Sequence, residues 1–481
     1  MRRTAFFSIS ILLLGAASIL LSLNGCGGGS ATFTQTPPPT ASIQHIVIIF
    51  QENRTPDNLF QDPVLILHGA DIAQQGVNSM GQTIPLAQTE LGIDYDLSHK
   101  HDAFVAMCDL NASTGKCAMD GADLIPPTCS KGATDCPPAN PQFLYVNPAE
   151  VAPYFQMAEQ YTFADRMFQT NQGPSFPAHQ FIISGTSEPA VGSNLFAAEN
   201  PLGIATSSAN AGCTAPSAEY VNLIDSTGTE SSTMFPCFEH PTLTDELNTK
   251  GVSWRYYAPL PGSIWTAPNA IQHMCVPQLV NGVLTCTGSD WSGARPNVVF
   301  PETTVLTDIA NGQLPQVSWV IPTGSNSDHP GDATTIGGPS WVASIVNAIG
   351  NSSYWSNTAI IIAWDDWGGW YDHVPPPQLI NDGTSWGSGY VYGFRVPMMV
   401  VSPYAKAAYI SHTQHDFGSI LKFIEKTFGV PSLGYADVPA DDLSDCFDFG
   451  QTPITFHTFD APLKAADFLN DKRPRTGPDD D

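Results

Sequence analysis

The sequence predicts an α/β protein: a doubly wound, mostly parallel sheet flanked by helices, with long loop insertions. Three observations predict it. Several short runs are apolar almost throughout rather than alternating, the pattern of strands buried on both faces. Amphipathic stretches alternate with those runs, as strand and helix do in a doubly wound domain. Polar clusters follow closely on the apolar runs. In open α/β sheets the carboxyl ends of strands share one rim, and ligands bind there.

Taken in order, residues 43–50 form the first strand, which ends in Gln51-Glu52-Asn53-Arg54. Residues 148–160 carry apolar positions at helical spacing. Residues 251–257 are a second strand candidate. Residues 317–321 form a strand leading to Ser325-Asn326-Ser327-Asp328-His329, and residues 341–349 read as a helix. Residues 358–363 lead straight into Asp365-Asp366, then Gly368-Gly369 and Asp372-His373. Residues 396–401 lead to Ser402-Pro403-Tyr404. Residues 416–428 place Phe417, Ile420, Leu421, Ile424 and Phe428 on one helical face and stop at Gly429. Residues 203–236 and 259–301 are Gly/Ser/Thr-rich and bear cysteines, as expected of insertions that wall a site.

The termini read differently. Arg2 and Arg3 precede an apolar stretch over residues 6–23. Leu23-Asn24-Gly25-Cys26 then resembles a bacterial lipoprotein processing site with Cys26 lipidated. Residues 1–26 are thus expected to be a lipoprotein-type signal peptide, with a plain signal peptide as the alternative. Residues 27–42 form a Gly/Ser/Thr/Pro tether, residues 43–460 the folded domain, and residues 461–481 a polar, disordered tail. The expected location is the periplasm or cell surface, or outside the cell if the leader is simply cut. Membrane contact is expected only through the N-terminal lipid. Cys108/Cys117, Cys129/Cys136, Cys213/Cys237 and Cys275/Cys286 are close enough for local disulfides in an oxidising compartment, leaving Cys446 over. Cys275 and Cys286 flank Asn281-Gly282, a two-residue hairpin signal. They are two positions out of register on it, so the pairing calls for a bulge or a wider loop. With 18 Lys plus Arg against 45 Asp plus Glu, the net charge of −27 repels nucleic acid and anionic lipid.

Adjacent carboxylates at the end of a buried strand are costly without a cation. Glu52, Asn53, Asp365 and Asp366 offer oxygen ligands suited to one hard divalent ion of the Ca²⁺, Mg²⁺ or Mn²⁺ class. Either pair alone would also serve as a cap; two pairs at two strand ends favour the metal. Gly173-Pro174-Ser175-Phe176-Pro177-Ala178-His179 supplies a serine at a helix start, where a neighbouring metal would favour its alkoxide. The Gly-x-Ser-x-Gly string at Gly383-Thr384-Ser385-Trp386-Gly387 lacks a strand before it and a helix after it, so it reads as a loop. His99, His101, His273, His329 and His373 are candidates to ligate a metal, hold phosphate or move a proton.

These residues resemble a known family. Ile46-Val47-Ile48-Ile49-Phe50-Gln51-Glu52-Asn53-Arg54 is similar to the opening motif of the bacterial phosphoesterases that include acid phosphatases and non-haemolytic phospholipases C. Matches follow in order at Asp96 to His99, Met119-Asp120-Gly121, Gly173 to His179, Ser327 to Gly331, Trp364 to Pro377, Gly393 to Tyr404 and the helix from His415. The resemblance implies a fold like that of alkaline phosphatases and sulfatases, and a catalytic domain over residues 43–460. It implies Glu52, Asn53, Asp365 and Asp366 as metal ligands, with Asp366 where Glu is common. Ser175 becomes the nucleophile, where the phospholipases tend to carry Thr. His99 and His329 become the phosphate-binding and acid/base histidines, with His273 a looser match. Asp328, His373 and His101 complete the expected substrate-binding set. The chain closes soon after the matched region, which favours a phosphatase-like member. The expectation is metal-dependent hydrolysis of phosphate monoesters through a phosphoserine. The alternatives are a phospholipase C acting on phosphatidylcholine-like lipids, with Trp265, Trp364, Trp367, Trp370 and Trp386 around the head group, or a non-catalytic surface binding protein.

Overall fold

The computed structural model describes residues 43–111, 113, 116–202, 211–377 and 392–476. Its centre is an eight-stranded sheet. In chain order the strands are β1 (His45–Gln51), β2 (Thr162–Ala164), β3 (Trp254–Tyr257), β4 (Val298–Val299), β5 (Val317–Val320), β6 (Thr358–Trp364), β7 (Met398–Val401) and β8 (Tyr409–Ser411). Their order across the sheet is β4-β3-β5-β1-β6-β7-β2-β8. The predicted runs thus supply β1, β3, β5, β6 and β7. The strands β2, β4 and β8 are too short to stand out as periodic segments.

The sheet is mostly parallel. β1 pairs in parallel with β5 and β6, and β3 pairs in parallel with β4 and β5. Every residue of β5, β6 and β7 is buried, so both faces are covered. The helices pack in two groups. Ala152–Gln160, Thr304–Ala310 and Ala465–Asn470 pack on Gly337–Gly350, while Leu243–Lys250 and Phe417–Phe428 pack on Ser175–Ser184. The last helix of the second group is capped by Asp416 and, as its sequence predicts, closed by Gly429, which lies in the left-handed region.

Three expectations change. β7 runs antiparallel to both its neighbours, so its carboxyl end, at Ser402-Pro403-Tyr404, lies on the rim opposite Asp365. The supposed tail packs as far as it is described: Ala465–Asn470 is helical, Phe468 is buried with its ring 5.2 Å from that of Trp341, and Arg475 pairs with Glu302. One aromatic anchor outweighs the polar composition around it. All four expected disulfides form and Cys446 is a buried free thiol. The hairpin Pro277–Val280/Val283–Cys286 keeps its two-residue turn, and Pro277 stands opposite Cys286. Neither a bulge nor a wider loop is needed. Val276, at φ 46°, turns the chain so that Cys275 reaches Cys286 from outside the ladder.

Candidate active site

The register of β1 on β6 builds the site. Gln51 lies opposite Trp364, and the next step of the ladder is a bond from the Asp365 N–H to the Gln51 carbonyl at 3.0 Å. The Arg54 N–H then donates to the Asp366 carbonyl at 3.0 Å. Glu52-Asn53 and Asp365-Asp366 therefore meet because their strands are adjacent and parallel. Asn53 adopts φ 59°, a left-handed conformation that Asn tolerates better than most residues, and its N–H donates to Asp365 Oδ1 at 3.2 Å. Gly368 and Gly369 follow at φ 62° and 73°. A Cβ on Gly368 would lie 2.3 Å from the Asn53 carbonyl oxygen, and one on Gly369 would lie 2.4 Å from Leu97 Cβ. The Gly-Gly turn is what lets Asn53 and the loop carrying His99 close on Asp366.

Ser175 opens the helix Ser175–Ser184, which is buried along its whole length. Its Oγ donates to Asp366 Oδ2 at 3.1 Å. The Phe176 N–H donates to Asn200 Oδ1 at 2.9 Å, so that amide already has an acceptor. One turn on, His179 shares the Ser175 face. Its Nε2 lies 3.5 Å from both Glu52 Oε1 and Asp365 Oδ2. His179 sits in the predicted serine string but has no role in the sequence reading. Its i, i+4 spacing from Ser175 is the signal that finds it.

Glu52, Asp365 and Asp366 are all fully buried, and among the described residues none pairs with Lys or Arg. Burial, then the charge of Asp365, pushes both Glu52 and Asp366 well above the ordinary carboxylate range. Burial would raise Asp365 too, but its contact with His179 holds it down to about 2. Among the described residues, both carboxylate oxygens of Glu52, Asn53 Oδ1, Asp365 Oδ2 and His179 Nε2 have no hydrogen-bond partner. One ligand atom each from Glu52, His179 and Asp365 falls within 4.8 Å of the others. Buried polar atoms left unpaired together are costly unless a cation satisfies them. The residues present fit a divalent metal ion, and His179 adds nitrogen to a set expected to offer oxygen alone.

His99 Nδ1 donates to the Leu97 carbonyl at 2.9 Å, which leaves Nε2 to accept from Asn53 Nδ2 at 3.2 Å. That Nε2 is 3.8 Å from Asp366 Oδ2. His329 Nδ1 donates to the Pro330 carbonyl at 2.7 Å, so its Nε2 carries the lone pair in the neutral ring. Its ring centroid is 6.3 Å from that of His99 and 5.9 Å from that of Trp265. Burial, then the neighbouring His99, lowers His329 to about 4. Asp328, expected to bind substrate, has one carboxylate oxygen held by the core, while Oδ1 has no hydrogen-bond partner among the described residues. Its Oδ2 accepts from Tyr154 Oη at 2.9 Å and Trp364 Nε1 at 3.0 Å, and its carbonyl accepts from Arg54 Nε at 2.8 Å.

Three other histidines lie elsewhere. His101 stacks on Phe104, its ring held by the backbone of Gln172 and Gly228, on the approach to the Ser175 helix. His273 is fixed by Glu239 at 2.9 Å and Asp245 at 3.2 Å, tying its insertion to the helix Leu243–Lys250. His373 bonds Asp57 at 2.7 Å and Asp71 at 2.9 Å. Both rings have each nitrogen engaged by a carboxylate, so neither is brought to Ser175. Trp265, Trp364, Trp367 and Trp370 are all core residues, and of these Trp265 alone lies against His179 and His329. The Gly383–Gly387 string, with Trp386, lies outside the described residues.

The chain is similar to the non-hemolytic phospholipase C of Pseudomonas aeruginosa, 25% identical over 449 residues, which cover 85% of this chain and 57% of that protein. It is also similar to phospholipase C B of Mycobacterium tuberculosis, 34% identical over 165 residues, 30% of this chain and 32% of that protein. It spans about half or less of the length of these relatives. Among solved structures, a Vibrio parahaemolyticus protein of the alkaline phosphatase superfamily overlays with a TM-score of 0.32 at 11% identity, over 61% of this chain and 64% of its own. Residues 43–431, which carry every member of the Ser175 cluster, match the Phosphoesterase family, and the chain belongs to that family.

Proposed function

We propose that this protein is an exported, metal-dependent phosphoesterase that hydrolyses phosphate monoesters through a phosphoserine at Ser175. The observation that carries it is Ser175 Oγ bonded to Asp366 beside buried carboxylates that no Lys or Arg among the described residues neutralises. Glu52, Asn53, Asp365, Asp366 and His179 would hold the ion. Oxygen ligands suit Ca²⁺, Mg²⁺ or Mn²⁺, and the imidazole nitrogen favours Mn²⁺ among them. When bound, the ion would lower the serine pKa and draw charge from the phosphoryl oxygens.

Ser175 attacks phosphorus in line with the leaving oxygen, and its proton passes to Asp366. The Oγ–P bond forms as the bond to the leaving oxygen breaks. That oxygen takes a proton from His329, whose depressed pKa is offset when a phosphate anion arrives against the ring. Asn53 Nδ2 and His99 border the same space and orient the phosphate. Water then attacks the phosphoserine and gives a proton to His329. Ser175 recovers its own from Asp366, and phosphate leaves. Positioning and electrostatics supply most of the acceleration in such transfers.

The same groups would cleave a phosphodiester, and the similarity to the Pseudomonas aeruginosa phospholipase C favours that second reading. The net charge of −27 directs it to zwitterionic rather than anionic lipid and away from nucleic acid. Hydrolysis of p-nitrophenyl phosphate and of phosphatidylcholine, before and after chelation and metal add-back, tests both. Chelator-sensitive hydrolysis that prefers p-nitrophenyl phosphate and is lost in Ser175→Ala is expected. Preference for the lipid would establish the phospholipase reading. Full activity in Ser175→Ala would remove the nucleophile. A wild type that hydrolyses neither substrate would leave a surface binding protein.

A further inference from the structure

The hairpin Pro277–Val280/Val283–Cys286 stands apart from the rest of the surface. Residues 278–285 are all exposed. Side chains alternate between the two faces of a strand, so exposure of every position means that both faces of the tip reach the surface, although Val283 and Leu284 also border a hollow shared with Cys213, Pro216 and Phe235. Four of the exposed side chains are apolar: Leu279 is 72% exposed, Val283 65%, Val280 42% and Leu284 39%; Gln278, Asn281 and Thr285 are the polar ones. In the register, Leu279 stands opposite Leu284, and Val280 opposite Val283. Cross-strand partners share a face, so the tip shows a Leu pair on one side and a Val pair on the other. Isolated exposed apolar residues are ordinary, but a contiguous apolar patch marks an interaction surface.

We propose that this hairpin docks into the interface of a zwitterionic phospholipid bilayer. Three features select that occupant. A protein partner or a second copy laid against the hairpin covers one face, whereas insertion into a bilayer interface surrounds both. No Asp, Glu, Lys or Arg occurs between Met274 and Ser289, in a chain of net charge −27, so the element neither seeks anionic head groups nor carries the repulsion of the rest of the surface into the contact. The Asn281-Gly282 turn and the Cys275–Cys286 disulfide fix the hairpin at both ends, so little order has to be gained on docking. The insertion that carries it also places Trp265 against His179 and His329. Docking would thus bring to a lipid surface the insertion that also contributes Trp265 to the site.

Hydrogen exchange of the hairpin amides in the full chain tests this apart from any N-terminal lipid. With phosphatidylcholine vesicles, exchange over residues 278–285 should slow by about tenfold or more. Leu279→Asp combined with Val283→Asp should abolish that protection and leave hydrolysis of p-nitrophenyl phosphate unchanged; Leu279→Ala with Val283→Ala should weaken it. Vesicle-bound protein with an unprotected hairpin overturns the proposal. So does equal protection in concentrated protein without vesicles, which would assign the hairpin to a second copy. The exchange readout uses no catalysis, so this proposal and the phosphoesterase reading fail separately.

Discussion

Glu52→Gln separates a cation site from a merely polar core. Glu52 is fully buried, both its oxygens lack hydrogen-bond partners among the described residues, and its neighbours are Asp365 and His179. An uncompensated charge in such a place costs about 3–5 kcal/mol. The amide keeps the shape and removes the charge. In chelated protein near neutral pH, Glu52→Gln should therefore be more stable than wild type by about 3 kcal/mol, with its urea midpoint raised by up to about 1 M. The sign follows from the pKa. Glu52 is raised above its ordinary 4.5 by burial and then by Asp365, so its destabilisation is absent below that value and grows as pH rises from it. The gain should vanish near pH 4. With metal present the order should invert, because the wild type regains stability on binding and the variant does not. Urea unfolding with and without chelator at the two pH values measures all four cases. A Glu52→Gln that is less stable than chelated wild type at neutral pH would mean that the chain compensates these carboxylates itself, and the case for a cation would fall.

Gly368→Ala puts a Cβ 2.3 Å from the Asn53 carbonyl at φ 62°, so it should cost about 1–3 kcal/mol and lower kcat at least about tenfold with the far-ultraviolet dichroism unchanged. His373 feels burial, which lowers its pKa, but the Asp57 bond prevails and raises it from 6.5 to about 9. Its contribution is then complete below pH 6.5, declines as pH rises, and is gone above about 9; for a partly exposed ring this is about 1–2 kcal/mol. Stability measured across that window should fall in the wild type and stay flatter in His373→Gln. Phe468→Ala should cost about 3 kcal/mol by thermal unfolding if the C-terminal helix is part of the core, and next to nothing if it is a solvated appendage.

Glu52-Asn53 and Asp365-Asp366 were legible in the sequence because each follows an uninterrupted apolar run. Adjacent parallel strands deliver such ends to one rim. Two properties of the site were not legible. The direction of β7 was hidden, because an apolar run carries no sign of which way it points. The fates of Asp328, His273 and His373 were hidden because their partners are distant in sequence: Tyr154 for Asp328, Glu239 and Asp245 for His273, Asp57 and Asp71 for His373. His179 was within reach, since a helix starting at Ser175 must turn its fourth following residue to the same face.

The run from Trp364 to His373 contains two acidic clusters, and comparing them makes the strongest case for the metal. Asp372, with Asp57 and His373, forms a group with ligand spacing of its own. There the chain provides the cation: Arg395, fully buried, donates to both Asp372 oxygens at 2.9 Å and to Asp57 at 3.2 Å. A bidentate guanidinium satisfies that cluster, so no metal is needed. Within the same few residues of sequence, Asp365 and Asp366 have no such partner among the described residues; Arg54, the nearby guanidinium, is spent on the Asp328 and Leu91 carbonyls and on Asn58. Both clusters obey one rule, that buried carboxylates require a positive charge, and among the described residues the fold supplies a guanidinium to only one of them, the other having the His179 imidazole alone at 3.5 Å. The cluster that no described Lys or Arg neutralises is the one bonded to Ser175.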